Sequence, residues 1–462
     1  MSAPTPNRQL ADLLDEARYS SREAFARRVN ELGNAGGVPL NLTYDKSSVT
    51  WWLKGRVPHR AARPIIAKGL SERLGRPITV ADCGWPEDDP DGEVGLEYSR
   101  SLQETVEAVA QLVRSEDVNR RDFCFATAAT AAAFTAAGWR WQNGAADASV
   151  ARLGPVRGGG KRLSATDVEH IRKVTRDFRR MDQAYGSGDL HLLVSRYLGM
   201  VLDNHVNGGQ YTEKVGRQLY EAVAELTGLA GSMAFDSDLH SLAQRYYIQA
   251  LRLSRAADDS AYSGYVLVKM SNQALYIGHP QEALELAHAA QHAAGGAKAA
   301  PTLLARCHAR EARVHAAYGD RTACESALSQ AQRVLEGPDR ADATSFGDFG
   351  EAEFAAQMAY CYRDLNRSDA AVQYARRALE LHDPAHARSR ALDMPLLASA
   401  YLSKGDLEAA CQTGIEAVTL ASQVRSARAV DNVRQFRRRL TPWRGEPPVR
   451  EFGERYTELL GA

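Results

Sequence analysis

The chain has 462 residues, which is too long for one hydrophobic core, so we expect two or more domains. Its 57 basic and 57 acidic residues cancel, so the overall charge points to neither nucleic acid nor membrane as a partner. The six cysteines are scattered and form no C-x-x-C pair, which excludes a secreted disulfide scaffold and favours reduced, buried thiols.

Abundant alanine and the near absence of alternating β-branched runs favour an all-α fold. Residues 1–10 are polar and lack the apolar segment of a secretory signal. We therefore expect a cytoplasmic protein with no membrane partner.

Residues 1–85 are predicted to form a small bundle of short helices. Apolar residues recur at helical spacing in the first of them, and Ser21 suits the N-cap of the second, whose Phe25 and Val29 face inward. A third helix is expected to begin near Asp45 and to end at Gly55.

The third predicted helix has an apolar back, formed by Val49, Trp52 and Leu53, and a polar front. Such a front suits the DNA major groove, where hydroxyls and ammonium groups reach base edges while Lys54 and Arg56 reach phosphates. The predicted DNA-binding residues are Ser21, Arg22, Tyr44, Lys46, Ser47, Ser48, Thr50, Trp51, Lys54 and Arg56.

The charge changes sign abruptly where this bundle ends. Residues 1–85 carry 13 Lys and Arg against 8 Asp and Glu, whereas residues 87–97 carry six acids and no base. A basic footprint confined to the small bundle is what electrostatic capture of DNA requires. The alternative is a helical bundle with an ordinary solvated basic face.

Residues 86–163 are expected to form an acidic linker with connecting helices at residues 99–113 and 122–141. The second of these is Ala-rich and too short to span a bilayer. A Gly-rich segment near residue 158 has Pro155 where a phosphate-binding loop needs glycine and Arg162 where it needs a hydroxyl, so we interpret it as a flexible linker.

From residue 164 the chain repeats itself. Small residues recur at Ala243, Ala283, Cys324, Ala371 and Ala410, separated by 40, 41, 47 and 39 residues. Most of these units follow a turn, and tyrosines close the helix before that turn. This is the tetratricopeptide pattern, whose usual period is about 34 residues. Six helical pairs, the first with its turn at residues 186–189, are predicted to form a superhelix.

The first helix of each pair lines the concave face of such a superhelix, where small molecules or peptides bind. Aromatic walls with Asn and Arg suit a peptide backbone or an acidic ligand. Alternatively, these side chains pack against neighbouring helices or against the chain's own tail. The predicted ligand-binding residues are Tyr265, Asn272, Tyr276, Arg306, Arg313, Tyr360 and Arg363.

No nucleophile motif, zinc-protease motif or dinucleotide fingerprint occurs, so we expect neither an enzyme nor a cofactor. His288 and His292 have the i, i+4 spacing that chelates a metal on one helical face. Because no carboxylate or thiol motif accompanies them, no metal site is predicted.

Residues 21–26 and 48–58 resemble the helix-turn-helix of phage-repressor-like regulators, including the Gly-x-x-Pro ending at Gly55 and Pro58. Residues 34–43 replace the tight turn that is usual between the two helices. This insertion is either a wing that contacts the DNA backbone or a loose loop.

The whole chain resembles actinobacterial regulators in which a helix-turn-helix precedes tetratricopeptide repeats, a group that includes negative regulators of sporulation and antibiotic production. Residues 231–247 and 319–328 carry the resemblance most clearly, and Ser232 stands where the group favours a tryptophan. The resemblance implies transcriptional control, without naming a ligand or an operator.

The sequence thus predicts four regions: a helix-turn-helix domain (1–85), a linker with connecting helices (86–163), a tetratricopeptide superhelix (164–440) and a capping helix (441–462). The expected protein is a transcription regulator that binds operator DNA as a homodimer and senses a small molecule or peptide in its groove. The alternative is a tetratricopeptide adaptor whose N-terminal bundle docks a protein.

Overall fold

The computed structural model describes residues 6–34, 44–58, 62–76, 78–80, 82–85, 94–126, 129–144, 150, 162–188, 190–296, 301–337 and 349–461. Within these ranges the chain is helical and contains no β-strand, which confirms the predicted all-α class. None of the described helices is both long enough and apolar enough to cross a membrane.

The chain divides into two compact units. The first comprises Met1–Val94 with Val118–Ala128, and the second comprises Gly95–Asp117 with Ala129–Ala462. The domain boundaries at residues 86, 164 and 441 stay predictions.

The described helices of the first 85 residues are α1 (Arg8–Ala17), α2 (Arg22–Asn34), α3 (Lys46–Leu53) and α4 (Arg63–Leu74). Side-chain caps fix where two of them begin. The Asn7 side chain accepts a hydrogen bond from Leu10 N at 3.0 Å, and Ser21 Oγ accepts one from Ala24 N at 3.1 Å. The predicted Ser21 cap is therefore present, and it sets the direction in which α2 leaves the preceding turn.

The core of this unit is formed by the inward faces of the four helices. Phe25, Val29 and Val49 are fully buried, as predicted. Trp52 packs edge-on against Tyr44 and Trp85, with ring centroids 4.9 and 6.4 Å apart. Each of these large side chains contributes about 1.5–3 kcal/mol by burial, so α2 and α3 are held in place from behind.

The helices that follow are α5 (Leu102–Ala126), α6 (Ala131–Asn143), α7 (Ala165–Tyr185), α8 (Leu190–Val201), α9 (Glu213–Asp236), α10 (His240–Ala256), α11 (Ser260–Tyr276), α12 (Pro280–Gly296), α13 (Pro301–Ala317), α14 (Arg321–Leu335), α15 (Glu351–Asp364), α16 (Ser368–Leu381), α17 (Ala387–Lys404), α18 (Leu407–Gln423), α19 (Ala427–Arg439) and α20 (Pro447–Leu460). A π-helical turn, Leu202–Asn207, extends α8, and a short 3₁₀ turn precedes α20.

The two connecting helices differ from the prediction. The helix expected at residues 99–113 continues to Ala126, and the single helix expected at 122–141 is wrong, because a new helix begins at Ala131. Thr130 caps this helix by accepting a hydrogen bond from Ala133 N. An alanine-rich pattern hides such a boundary, since the capping threonine also fits inside a helix.

Five antiparallel pairs, α9–α10 to α17–α18, are each joined by a short turn. One residue of each turn adopts the left-handed conformation, at Asp238, Gly278, Gly319, Asn366 and Gly405. The next backbone N–H then donates to a carbonyl five residues back, over 2.7 to 3.1 Å. This arrangement satisfies the last carbonyls of the first helix and reverses the chain. The turns predicted from sequence are therefore present.

The recurring small residues lie inside the pairs. Ala243, Ala283, Cys324, Ala371 and Ala410 are all fully buried, so they let neighbouring helices approach closely. The long period has a direct cause in the helices: α11, α12 and α13 each have 17 residues. Of the cysteines, all those described are free and buried.

The helical array closes on itself. At the turn after α7, Gly188 N donates to Arg425 O at 2.9 Å and Arg425 N donates to Tyr185 O at 2.8 Å. An ion pair of 3.1 Å between Arg388 and Asp182 joins α17 to α7. The first predicted pair, α7–α8, therefore contacts the segment that links α18 to α19.

Candidate functional site

The polar front of α3 and the start of α2 border one surface depression in the first unit. It has a volume of about 500 Å³. Seven of the ten predicted DNA-binding residues line it together with one acid, and the complete lining is Ser21, Arg22, Glu23, Lys46, Ser47, Thr50, Trp51 and Lys54.

Short-range hydrogen bonds hold this surface in shape. Asp45 accepts from Ser48 N at 2.8 Å, and the Ser48 hydroxyl accepts from Asp45 N, which forms a capping box at the start of α3. The hydrogen bonds from Ser48 lower the pKa of Asp45, so this cap stays charged. Arg22 Nη1 donates to Thr50 Oγ1 at 3.2 Å and ties α2 to the middle of α3.

An aromatic ring stands out from this surface. Trp51 is 52% exposed, although a tryptophan usually gains free energy by burial. The Lys54 ammonium lies 5.0 Å from the centre of its ring, a cation–π distance. The pair presents a flat apolar plate next to a positive charge.

Three predicted DNA-binding residues lie elsewhere. Tyr44 packs its ring on Trp52, and burial raises the pKa of its hydroxyl. The Ser48 hydroxyl is engaged in the capping box. Arg56 is exposed beyond the end of α3 and does not line the depression.

The sequence prediction missed one residue of this surface, Glu23. It also included an insertion that lies almost entirely outside the described residues. Glu23 accepts a hydrogen bond from Lys46 N at 2.9 Å, and its place in the first turn of α2, where acids are favoured, is a signal that reveals it. Apart from Asn34, which ends α2, the predicted insertion at residues 34–43 lies outside the described residues.

A second set of predicted residues lies on the first helices of the helical pairs, and we call the side of the array that these helices form the inner face. The first helices of successive pairs, α9, α11, α13, α15 and α17, each contact the next one in the row. All seven predicted ligand-binding residues lie on α11, α13 and α15. The structure gathers them into three groups, each centred on a tyrosine.

The first group surrounds Tyr265. The Lys269 ammonium and the Arg306 guanidinium lie 5.1 and 5.2 Å from the centre of its ring. Burial raises the pKa of the Tyr265 hydroxyl, but the charges of Lys269, Arg179 and Arg306 outweigh this effect and lower it to about 8.

The second group surrounds Tyr360. The guanidinium groups of Arg313 and Arg363 lie 4.2 and 5.1 Å from the centre of its ring. Arg363 pairs with Asp364 at 2.7 Å, whereas Arg313 is 4.0 Å from the same carboxylate. One carboxylate, that of Asp364, therefore lies within ion-pair distance of two arginines.

The third group is occupied by the chain itself. Tyr276 donates a hydrogen bond to Asp431 of α19 at 3.0 Å, and burial together with this carboxylate raises the pKa of Tyr276. Arg428, also on α19, lies 4.4 Å from the ring centre of Phe235. Half-buried Asn272 lies one helical turn before Tyr276. Here the alternative that the sequence left open, packing against the chain's own tail, applies.

The inner face also contains cations that the sequence prediction missed. Arg310 is 9% exposed, and its Nε and Nη1 have no hydrogen-bond partner. Arg388 pairs with Asp182 at 3.1 Å and with Asp236 at 3.7 Å. Arg310 lies between Arg306 and Arg313 at helical spacing, so the register of α13 could have revealed it.

Two further residues that the sequence singled out, Ser232 and His288, make contacts within the chain. Ser232 accepts a hydrogen bond from the Tyr247 hydroxyl at 3.2 Å. His288 approaches Glu311 of the next helix, with 3.3 Å between Nε2 and Oε1. In the part of the chain that the structure describes, no group of three or more His, Cys, Asp or Glu is arranged to hold a metal ion.

Comparison with known proteins identifies the class of repeat. A tetratricopeptide-repeat model matches residues 352–382, which contain almost all of α15 and α16. The second unit is therefore an array of helical pairs that contains a tetratricopeptide repeat, a class of domain used for protein interaction.

The other comparisons cover the N-terminal region and the chain as a whole. A family described as the SP15 N-terminal domain matches residues 10–86. None of the curated proteins matches. The crystal structure of the APC/C hetero-tetramer Cut9–Hcn1 aligns with a TM-score of 0.32 and 11% identity, covering 93% of this chain and 71% of that chain. A TM-score this low does not establish a shared fold.

Proposed function

We propose that this protein is a DNA-binding transcription regulator, in which α2 and α3 act as a helix-turn-helix and the repeat array acts as a sensor. The observation that carries the proposal is the exposed polar front of α3 next to the N-terminus of α2. The actinobacterial regulators that the sequence resembles support the same assignment and a role in development or secondary metabolism.

The front of α3 fits the chemistry of the major groove. The groove is about 12 Å wide and admits one helix. Lys46 and Ser47 supply donors and acceptors for base edges, and Trp51 supplies an apolar plate for a thymine methyl group. The ammonium of Lys54 lies at the end of the helix, where it reaches the phosphate backbone.

A rigid support makes this front suitable for recognition. The capping box fixes the start of α3, and buried Val49 and Trp52 fix its back. One module of this size buries too little area for tight and specific binding, so we propose that a homodimer binds two operator half-sites.

Selection from a random duplex library with the full chain tests the proposal. We expect an enriched motif made of two related half-sites. Trp51→Ala should weaken binding to that motif by at least about fivefold, since one good base contact contributes about 1–3 kcal/mol. Lys68→Ala is the control, because Lys68 is exposed on α4 and does not line the depression. A selection that enriches no motif contradicts the proposal.

The tetratricopeptide match supports a second candidate, a protein-interaction adaptor. In this alternative the N-terminal bundle docks a protein instead of DNA. Salt separates the two functions. DNA binding releases counterions, so its affinity falls steeply with salt concentration, whereas a flat dependence on salt favours the adaptor.

A further inference from the structure

Arg310, at the inner face of the repeats, is a buried cation that lacks a compensating negative charge in the described chain. It lies in the middle of α13 and is nine-tenths buried, and its Nε and Nη1 bond to nothing in the described chain. A buried guanidinium without a partner is unfavourable, because it has given up water and received no compensating hydrogen bond. Something outside the described contacts is needed to satisfy it.

Other cations converge on the same place. Arg306 and Arg313 lie one turn to either side of Arg310 on α13, and Arg428 approaches from α19. Burial lowers the pKa of Arg310, and the like charges of these three arginines lower it further. Burial also lowers the pKa of Lys269 on α11; Tyr265 opposes this shift, whereas the charges of Arg306 and Arg388 add to it. Three helices, α11, α13 and α19, therefore supply positive charge to one place, and this charge attracts an anion.

The carboxylates nearby are already engaged. Asp182 is held by Arg388 and by the Ser187 hydroxyl, which donates at 2.7 Å. Asp236 accepts from the Ser426 hydroxyl at 2.9 Å and lies near Arg388 and Arg428. These acids compensate Arg388 and, in part, Arg428.

For Arg310 the described chain supplies no such acid. Asp364 is paired with Arg363 at 2.7 Å and is 4.0 Å from Arg313. No described carboxylate pairs with Arg310. The α13 side of the inner face therefore carries more positive than negative charge.

The chemistry of guanidinium selects the kind of anion. Its planar fork binds phosphate through two parallel hydrogen bonds, and a phosphate offers several oxygens to several arginines at once. The closed array and the contacts of α19 at Tyr276 favour a compact ligand over a peptide laid along the inner face.

We propose that the inner face binds a small phosphate-bearing anion, with Arg310 at its centre, Arg306 and Arg313 beside it and Arg428 contributed by α19. This inference deepens the proposed sensor role and rests on it for its biological meaning. The binding itself is measured without DNA, so its failure and a failure of DNA binding are separate results.

Thermal unfolding and calorimetric titration of the full chain with inorganic pyrophosphate, at constant ionic strength, test the site. We expect pyrophosphate to raise the Tm of the parent protein, because a ligand that binds only the folded state stabilises it. In Arg310→Met this shift should disappear and the Kd should rise at least about tenfold. Without anion, the variant should melt at the same or a higher temperature than the parent, because its buried side chain carries no unmatched charge.

Two further variants keep the test decisive. Arg333→Met removes an exposed arginine of the adjacent α14 and should leave the pyrophosphate shift unchanged. Arg310→Lys keeps the charge without the fork, so it should weaken binding less than Arg310→Met, and it answers the question if the methionine variant does not fold.

Three results would overturn the proposal. The first is that pyrophosphate does not bind, and the second is that Arg310→Met binds it as tightly as the parent. The third is that succinate, a dicarboxylate of similar size, binds as tightly as pyrophosphate, since the site then recognises negative charge and not phosphate.

Discussion

The front of α3 and the inner face of the repeats both carry several cations, but these cations differ in their exposure to solvent. Lys46 and Lys54 are exposed, whereas Arg310 is buried and Arg388 and Arg428 are about four-fifths buried. An exposed cation keeps its hydration, so it needs no partner within the chain and is free to meet one outside it. A buried cation has lost its hydration and depends on a fixed negative charge.

Because of this difference, substitutions in the two regions should have different effects. Removing an exposed charge should change binding and leave stability nearly intact. Removing an acid that compensates buried cations should lower stability first. The predictions that follow test this contrast, beginning with the largest expected effect.

Asp236→Asn should destabilise the protein by about 3 kcal/mol, because it leaves Arg388 and Arg428 without the charge of a fully buried acid. Urea unfolding measures the loss. Asp369→Asn is the control, since Asp369 is 87% exposed and pairs with Lys404 on the surface. This variant should lose much less stability than Asp236→Asn, because water screens the charges of an exposed pair. Equal losses for the two variants would remove the contrast between buried and exposed charges.

Gly186→Ala should destabilise the closure of the array by about 2 kcal/mol. Gly186 has a φ of 81°, and an added Cβ would lie 2.7 Å from the carbonyl oxygen of Arg425, a backbone atom that cannot rotate away.

Gly278→Ala provides the matched control for this variant. Gly278 has a φ of 87° with nothing within 4 Å of an added Cβ, so only the backbone penalty of about 1 kcal/mol remains. Urea unfolding of both variants isolates the cost of the contact with Arg425. If the two losses are equal, that contact adds nothing to stability.

The pair of His382 and Asp393 predicts a smaller effect that depends on pH. The two side chains are buried, and the distance from Nε2 to Oδ2 is 2.9 Å. Burial lowers the pKa of His382, but the hydrogen bond and charge of Asp393 outweigh it and raise the pKa above the ordinary 6.5. The charged histidine therefore stabilises the fold fully below pH 6.5, and this contribution is lost as the pH rises through the folded-state pKa.

Accordingly, His382→Gln should lose more stability at pH 6 than at pH 9, as measured by urea unfolding at both values. The reciprocal control is the same substitution in an Asp393→Asn background, where the dependence on pH should vanish. A loss that is equal at both pH values would show that the pair is not charged in the folded protein.

The sequence revealed most of what is local in this fold. Two local signals mark the helical pairs. Glycines at the turns, such as Gly278 and Gly405, adopt a left-handed conformation, and small residues such as Ala243 and Ala371 recur at a regular spacing along the chain. Ser21 predicted the start of α2 because an N-cap hydrogen bond joins residues only three positions apart. By contrast, an alanine-rich run concealed the break before Ala131.

What the sequence could not reveal depends on long-range contacts. Asp182 contacts Arg388, and Tyr276 contacts Asp431, only because the array closes. The spacing of residues within one repeat does not indicate that closure. In the candidate DNA-binding surface, helix register predicted that Lys54 and Thr50 share the front of α3, and both line the depression there. It did not show that Tyr44 turns inward to pack on Trp52.

The salt dependence of duplex DNA binding tests the central claim most directly, because it compares both regions in one measurement. For the parent protein, the logarithm of the affinity should fall linearly with the logarithm of salt concentration. Lys54→Ala should reduce this slope by about 1, since it removes one phosphate contact, whereas Arg310→Met should leave it unchanged. A slope that Lys54→Ala does not alter, or that Arg310→Met reduces, would contradict the assignment of DNA binding to the front of α3.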